Sequence, residues 1–333
     1  MKEYNLFVAG ATGLVGQTII KVIEDRNFPV KNLSLFASER SREKKILFRG
    51  NEIEVKPVEE ADFTKADFTL FATDSDISRK YAPLAAAGGG YAIDNSSAFR
   101  KEKDVDIIIP EINSVLLTKD KKLYANPNCS TAQLAVVLNP LHKKYGLRRV
   151  AVSTYQAVSG SGIKGVAQLN AELMGRKAND PVYPHPISGN CIPHIGAFDG
   201  DGYCEEENKM VFELRKILGL PGLPVAVTTV RVPVAECHSE SVLAEFETPI
   251  NAQDAAQELS GSPGIILQND EANNIYPLAL NSKGRDEVFA GRIRNVEGWD
   301  NALQLWIVAD NLRKGAAANA VQIAEKIIEM DLI

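Results

Sequence analysis

The run Leu6-Phe-Val-Ala-Gly-Ala-Thr-Gly-Leu-Val-Gly16 decides the fold. Residues 6–9 form a short apolar stretch ended by glycine, which reads as a buried strand. Gly10, Gly13 and Gly16 recur at every third position. Val15, Ile19, Ile20, Val22 and Ile23 then supply the inward side of a helix. Strand, G-x-x-G-x-x-G and helix together are the context of a dinucleotide-binding turn. Gly10 permits the tight turn, Gly13 lets a pyrophosphate approach the backbone, and Gly16 allows close helix–strand packing. The helix N-terminus would face the anion. The spacing is a variant of the usual fingerprint, so a glycine-rich turn with no ligand is the alternative.

Working outward, residues 33–36 read as a second strand and 68–71 as a third or fourth. Residues 77–87 read as a helix closing on Gly88-Gly-Gly90. Residues 91–94 and 105–109 read as further strands. Strands alternating with helices predict a Rossmann-like, doubly wound parallel sheet over about the first 127 residues. The second strand ends Phe36-Ala-Ser-Glu-Arg-Ser41. Ser38, Arg40 and Ser41 offer donors and charge suited to a ribose 2′-phosphate, which favours NADP (NADPH). Glu39 would serve NAD instead if it points inward.

After residue 127 the texture changes to an α+β pattern. Residues 150–154, 228–234 and 240–247 read as antiparallel strands with one wet or functional face, in a mixed, largely antiparallel sheet. A Pro- and Gly-rich stretch over 174–203 has no clear period. Residues 311–330 read as one long helix striped by Ala316, Ala320, Ile323, Ala324, Ile327 and Ile328. The expected division is 1–127 with 312–333, and 128–311.

Cys129 sits in Asn126-Pro-Asn-Cys-Ser-Thr131, after a proline turn, and opens a helix carrying Leu134, Val137, Leu138 and Leu141 at helical spacing. A thiol there faces the positive end of the helix dipole, which favours the thiolate. Free backbone N–H groups at the same terminus would cradle an oxyanion. A buried, inert cysteine is the alternative. Gln156 ends a strand, and Arg231 and His238 follow one another in Arg231-Val-Pro-Val-Ala-Glu-Cys-His238. A histidine can relay protons for a thiol, an arginine can fork a carboxylate, and a glutamine can orient a substrate. A surface arginine and a structural histidine are the alternatives.

Composition narrows the class. The chain has 333 residues, 45% hydrophobic and 24% charged, with a net charge of −6. That is long enough for two domains and ordinary for a globular protein. No basic stripe suits nucleic acid, and no apolar run spans a membrane. The start at Met1 leaves no room for a signal peptide. The four cysteines and four histidines are unclustered, which predicts no metal site and a reduced cytoplasmic enzyme.

The chain resembles the aspartate-semialdehyde dehydrogenase family over nearly its whole length. The resemblance rests on residues 10–16, Asp94-Asn-Ser-Ser-Ala-Phe-Arg100, residues 126–131, Tyr155-Gln-Ala-Val-Ser-Gly160, Asn190-Cys-Ile-Pro-His-Ile-Gly196, Glu206-Glu-Asn-Lys-Met210 and the Arg231–His238 segment continuing into Ser239-Glu-Ser241. It implies reduction of L-4-aspartyl phosphate to L-aspartate 4-semialdehyde, within lysine, methionine and threonine biosynthesis. It also implies a homodimer or homotetramer, and a C-terminal helix returning to the nucleotide domain. Cys129 is implied as the nucleophile, His238 as general acid/base and Gln156 as the orienting residue. Arg231 would anchor the substrate carboxylate and Glu206 its ammonium, with Asn128 also at the substrate. Lys209 and Arg100 would hold phosphate. Gly10, Thr12, Gly13, Leu14, Val15, Gly16, Ser38, Arg40, Ser41, Thr73, Ser159, Gly160 and Asn311 would contact the cofactor. The loop Thr73-Asp-Ser-Asp-Ile-Ser78 is more acidic than the family pattern, and residues 200–204 depart from it before Glu206. A related N-acetyl-glutamyl-phosphate or malonyl-CoA reductase is an alternative enzyme, and a non-catalytic paralogue an alternative of another class.

Overall fold

The structure, a computed structural model, describes residues 2–333. The chain forms two compact units, one running to Pro127 and resuming at Ala316, the other from Asn128 to Gly315. In the first, β1 (Tyr4–Ala9) leads through the glycine run into α1 (Leu14–Asp25) and β2 (Val30–Ala37). Then come β3 (Lys45–Phe48), β4 (Asn51–Pro57), β5 (Phe68–Phe71), α2 (Ser75–Ala87), β6 (Tyr91–Asp94), the short α3 (Pro110–Asn113) and β7 (Leu123–Ala125). The seven strands lie in the order β3-β4-β2-β1-β5-β6-β7. All neighbours run parallel except the antiparallel β3–β4 pair. Strand order therefore reverses at β1, and the glycine turn leaves from its carboxyl end. Open α/β sheets bind ligands at that kind of switch point. Leu6, Val8 and Ala9 are fully buried, as strands covered on both faces require.

Two sequence expectations fail here. The β3–β4 hairpin was not anticipated. Residues 105–109 are not a strand and carry only an isolated bridge from Ile107 to Ala125. The Asn113 side chain takes the backbone there instead: its Oδ1 accepts from Ile109 N at 2.9 Å and its Nδ2 donates to Ile107 O at 2.8 Å. These polar groups are satisfied without a ladder.

The second unit contains α4 (Cys129–Tyr145), β8 (Leu147–Gln156), α5 (Gly162–Leu173), α6 (Glu205–Leu218), β9 (Val225–Arg231), β10 (His238–Phe246), α7 (Ala252–Ser260), β11 (Ile265–Leu267), α8 (Ala279–Ser282), β12 (Val288–Val296) and β13 (Trp299–Ala309). Its sheet has the order β11-β12-β13-β10-β8-β9. β10 is antiparallel to β13 and β8, and β12 to β13. β9, expected to be antiparallel, runs parallel to β8. The intervening chain, with α5 and α6, provides the crossover that a parallel pair needs. β9 also stops at Arg231, short of the expected 234, because Pro233 cannot donate to a ladder. Residues 174–203 are irregular, as expected. Side chains of α5 hold them: Gln168 accepts from Val182 N at 2.7 Å, and Glu172 from Ile187 N and Ser188 N, each at 2.7 Å.

Val150, Val152, Thr154 and Gln156 point inward from β8, and His238, Glu240, Val242 and Ala244 from β10. α4 packs on that inner face. It is buried without a break from Ser130 to Asn139, so it reads as a core helix rather than an amphipathic one.

The expected single helix over 311–330 starts two residues later and opens with a π turn. Asp310 Oδ1 accepts from Leu312 N at 2.9 Å, residues Arg313–Ala317 form a π turn, and α9 proper is Ala318–Glu329. Asn311 therefore precedes the helix. Ala320, Ile323, Ala324 and Ile327 bury the expected stripe against α1, while Ile328 is only partly covered. Arg26 forks onto Glu325 at 2.9 and 2.6 Å across the same contact.

Candidate active site

In the first unit, three glycines shape the turn. Gly10 has φ +83°, and a Cβ there would lie 2.2 Å from Ala72 O. A Cβ on Gly16 would lie 2.1 Å from Gly10 O. Gly13 is the N-cap of α1 and brings no side-chain cap, and the first turn beginning Leu14-Val15 carries no acidic residue. The helix end is thus dressed for an anion. Thr12 and Ser41 hydroxyls meet at 3.2 Å, joining the turn to the end of β2. Ser38 and Arg40 are exposed, and Arg40 makes no ion pair among the described residues. Glu39 is turned outward and forked by Arg42 at 2.6 and 2.9 Å, and Arg42 also reaches Glu60 at 2.7 Å. The hydrogen bonds from Arg42 hold the Glu39 carboxyl below its ordinary range. Thr73 touches Ser78 at 2.9 Å, and Ser78 donates to buried Asp94 at 2.6 Å. Burial pushes the Asp94 carboxyl up. Arg100 is buried and donates to Asn126 O at 2.9 Å and Asn95 O at 2.7 Å, which braces this loop.

In the second unit, Cys129 is the first residue of α4 and is partly exposed. The expectation of free N–H groups beside it is corrected. Asn128 caps the helix, its Oδ1 accepting from Ser130 N at 3.0 Å and Thr131 N at 3.1 Å. Asn128 is also a junction: its N–H donates to Glu213 at 2.6 Å and its Nδ2 to Glu206 Oε1 at 2.7 Å. Gln156 Nε2 reaches the same Glu206 oxygen at 3.4 Å. Lys209 lies 3.8 Å from Glu206 and 2.7 Å from Glu205. Glu206, Lys209 and Glu213 share one face of α6 at i, i+3 and i+7, the spacing that would have found Glu213 from sequence. A Cβ on Gly315 would lie 2.7 Å from Cys129 Cβ, so only glycine fits against the thiol-bearing residue.

His238 and Arg231 are tied to one peptide. Ala157 N–H donates to His238 Nδ1 at 3.0 Å, and Arg231 Nη1 donates to Ala157 O at 2.7 Å. With Nδ1 accepting, the neutral ring carries its proton on Nε2. Burial, then the Arg231 charge, hold His238 well below the usual imidazole range. It is therefore neutral near pH 7. Its Nε2 and the Arg231 Nε are both buried without a hydrogen-bond partner among the described residues. Gly160 faces both: a Cβ there would lie 2.7 Å from Arg231 Nη1 and 3.3 Å from His238 Nε2. Asn311 Oδ1 accepts from Ser159 Oγ at 3.1 Å and from Cys237 N at 3.0 Å. Cys237 has φ +72°, so Asn311 steadies an uncommon backbone next to His238. The sequence did not reveal that role for Asn311.

The second unit thus joins a helix-terminal thiol to a carboxylate–amide–lysine cluster. It also presents a neutral imidazole donor beside a buried guanidinium. Such a set suits acyl transfer through sulfur to a substrate bearing a carboxylate.

Comparison with known proteins identifies the family. Residues 5–119 match the profile of the semialdehyde dehydrogenase NAD binding domain, and 138–314 that of the semialdehyde dehydrogenase dimerisation domain. The chain is 45% identical to an aspartate-semialdehyde dehydrogenase of Aquifex aeolicus over 99% of each protein. It is 45% identical to one of Legionella pneumophila over 97% of this chain and 95% of that protein. A solved structure of aspartate semialdehyde dehydrogenase II from Vibrio cholerae, complexed with ASA, superposes with a TM-score of 0.95 at 40% identity, covering 99% of each chain. With the fold, the cysteine helix and full-length similarity all in agreement, the chain belongs to the aspartate-semialdehyde dehydrogenase family.

Proposed function

We propose that the chain carries out the reversible, NADP-dependent reductive dephosphorylation of L-4-aspartyl phosphate to L-aspartate 4-semialdehyde through a thioester on Cys129. The observation that carries this reading is the pair of buried donors, Arg231 Nε and His238 Nε2, that find no partner among the described residues, on two side chains that both border Gly160. Buried donors demand acceptors, and a substrate carboxylate and a developing oxyanion would supply them.

Cys129 sulfur bonds to the acyl carbon as the acyl–phosphate bond breaks and phosphate leaves. NADPH, when bound, supplies the hydride that reduces the thioester carbonyl. His238 Nε2–H donates to the carbonyl oxygen as charge develops there. Collapse of the hemithioacetal breaks the C–S bond and frees the aldehyde and the Cys129 thiolate. Arg231 forks the substrate carboxylate. Gln156, tied to Glu206, fixes the acyl group, while Glu206 and Asn128 receive the ammonium side. Lys209 and Arg100 hold the phosphate.

The glycine turn, Thr12, Leu14, Val15, Thr73 and Ser41 fit a dinucleotide, because the uncapped α1 terminus offers N–H groups to an anion. Ser38 and unpaired Arg40 favour a 2′-phosphate. Glu39, committed to Arg42, is withdrawn from the NAD-type role. Ser159, Gly160 and Asn311 serve the nicotinamide side. The first unit acts as the NADP-binding domain, the second as the catalytic and dimerisation domain. A second copy would pair on the outer face of β8, β9, β10 and β13. There Tyr155 and Trp306 rings meet at 5.3 Å among small residues such as Ala151, Ser153 and Ala226. No helix among the described residues is long and apolar enough to cross a membrane. We assign the reaction to cytoplasmic lysine, methionine and threonine biosynthesis.

The test is one assay run with L-aspartate 4-semialdehyde, N-acetylglutamate semialdehyde, and malonate semialdehyde plus CoA, each with NADP and with NAD. Aspartate semialdehyde with NADP is expected to give the highest kcat/KM. Preference for another aldehyde would replace the substrate assignment, and preference for NAD the cofactor assignment.

A further inference from the structure

Beneath the reactive residues lies a second polar layer that the reaction does not use. On α4, Gln133 follows Cys129 by four residues and so lies on the same face one turn deeper. On β10, Glu240 follows His238 by two and shares its inward face. Glu240 is fully buried and Gln133 is 1% exposed. Across the sheet Glu240 is in register with Thr154 of β8, which is itself fully buried and accepts from Gln156 Nε2 at 3.3 Å. Its partner on β13 is Ile307, which offers no polar side chain.

Glu240 makes no ion pair among the described residues, and Gln133 is the side chain that faces its carboxyl. Neither Glu240 oxygen nor either amide atom of Gln133 completes a hydrogen bond of good geometry to another group. Buried polar atoms are rarely left so, and four together at one contact call for a reason. An acid and an amide can satisfy one another: the acid O–H donates to the amide oxygen, and the amide N–H donates to the acid carbonyl. A carboxylate could accept from the amide N–H but would leave the amide oxygen without a donor. An unpaired buried carboxylate is also costly, so Glu240 is held as the neutral acid. Burial raises its pKa well above the ordinary carboxylate value.

We propose that Gln133 and Glu240 form a positioning pair that ties the Cys129-bearing helix to the His238-bearing strand and so fixes the nucleophile against its proton donor. The pair touches neither substrate nor cofactor and acts through Cys129 and His238. It thus rests on the reading of Cys129 as nucleophile.

The experiment uses the full-length protein with Glu240→Leu, Glu240→Gln, Gln133→Leu and Cys129→Ala. Steady-state kinetics with aspartate semialdehyde, phosphate and NADP are paired with the rate of Cys129 alkylation by iodoacetamide, read by mass spectrometry. Glu240→Leu and Gln133→Leu are each expected to lower kcat at least about tenfold with KM within about twofold, and to change the alkylation rate several-fold. Glu240→Gln can rebuild both hydrogen bonds as an amide pair and is expected to stay within about threefold of the parent. Folded Glu240→Leu or Gln133→Leu protein with parental kcat and alkylation rate would overturn the pair. Equal damage in Glu240→Gln and Glu240→Leu would overturn the neutral-acid form of it. If Glu240→Leu does not fold, Gln133→Leu decides alone. An active Cys129→Ala variant would instead overturn the underlying nucleophile reading.

Discussion

Cys129→Ala is expected to lower kcat by at least about 10⁴-fold, because the covalent acyl carrier is lost and no neighbouring group replaces it. NADP affinity is expected to stay within about twofold, since the α1 terminus and the Ser38, Arg40 and Ser41 group that would hold the dinucleotide do not involve the thiol. The substitution removes one sulfur from a partly exposed position and leaves the Asn128 cap of α4 intact. The Asn128–Glu206 and Asn128–Glu213 bonds do not involve the thiol. Thermal unfolding should therefore change little. The remaining thiols sit elsewhere in the fold: Cys191 is exposed in the irregular 174–203 segment, while Cys204 and Cys237 are buried. Burial pushes the Cys237 thiol far up, so it is a poor nucleophile despite its place next to His238. The check is steady-state turnover with NADP titration by fluorescence on the same preparation. Residual activity above about one part in a hundred would remove Cys129 from the nucleophile role.

Arg231→Lys is expected to lower kcat/KM for aspartate semialdehyde by roughly 30-fold or more, corresponding to about 2 kcal/mol for a charge-assisted hydrogen bond. Arg231 is 3% exposed, with Nη1 fixed on Ala157 O at 2.7 Å and Nε unpartnered. One edge of the fork is thus held by the protein and the rest is offered to the substrate. Lysine keeps the charge but cannot hold Ala157 and fork a carboxylate at once. The loss should fall on KM more than on kcat, provided that the Ala157–His238 bond survives. The charge of Arg231 also helps to keep His238 neutral, and a lysine there preserves that sign. Kinetics over a range of aldehyde concentrations at saturating NADP and phosphate provide the check. An unchanged kcat/KM would mean that the carboxylate is anchored elsewhere.

Much of this was legible in the sequence, for physical reasons that differ from element to element. The glycine turn could be read because sterics leave little choice: side chains at Gly10 and Gly16 would collide with backbone oxygens. α4 could be read because its apolar residues recur at helical spacing. The β3–β4 hairpin is the exception: it lies at the sheet edge with most side chains exposed, and the alternation of Glu52, Glu54 and Lys56 with Ile53 and Val55 contains too few apolar residues to stand out. Residues 105–109 failed in the opposite way. They are apolar enough for a strand, yet Asn113 satisfies their backbone from outside the ladder. α6 was hidden by its composition, since Glu206, Glu207 and Glu213 look like a solvated face but are buried.

The site shows the same division. Cys129, Gln156, Arg231 and His238 were singled out as reactive residue types near strand and helix ends. The structure places the last three at one end of β8, β9 and β10, with Gln156 and Arg231 in register. Their supporting groups were not visible. Ala157 acts through its peptide, which no sequence pattern encodes. Glu213 needed the helical phase of α6. Gln133 and Glu240 lie among core residues, where a polar letter in an apolar stripe gives no hint of its partner. The cap by Asn128 also changed the reading of Cys129: the N–H groups once assigned to an oxyanion are taken. In the proposed mechanism the developing charge is met by His238 Nε2 instead.

The central claim is that Cys129 passes an acyl group between sulfur and phosphate. The most direct test is NADP reduction by L-aspartate 4-semialdehyde with and without inorganic phosphate. Sustained turnover is expected only with phosphate, with acyl phosphate formed in step with NADPH. Without phosphate, reduction should stop near one equivalent per active site, with the acyl group left on Cys129. An equal steady-state rate without phosphate would show simple aldehyde oxidation and contradict the account.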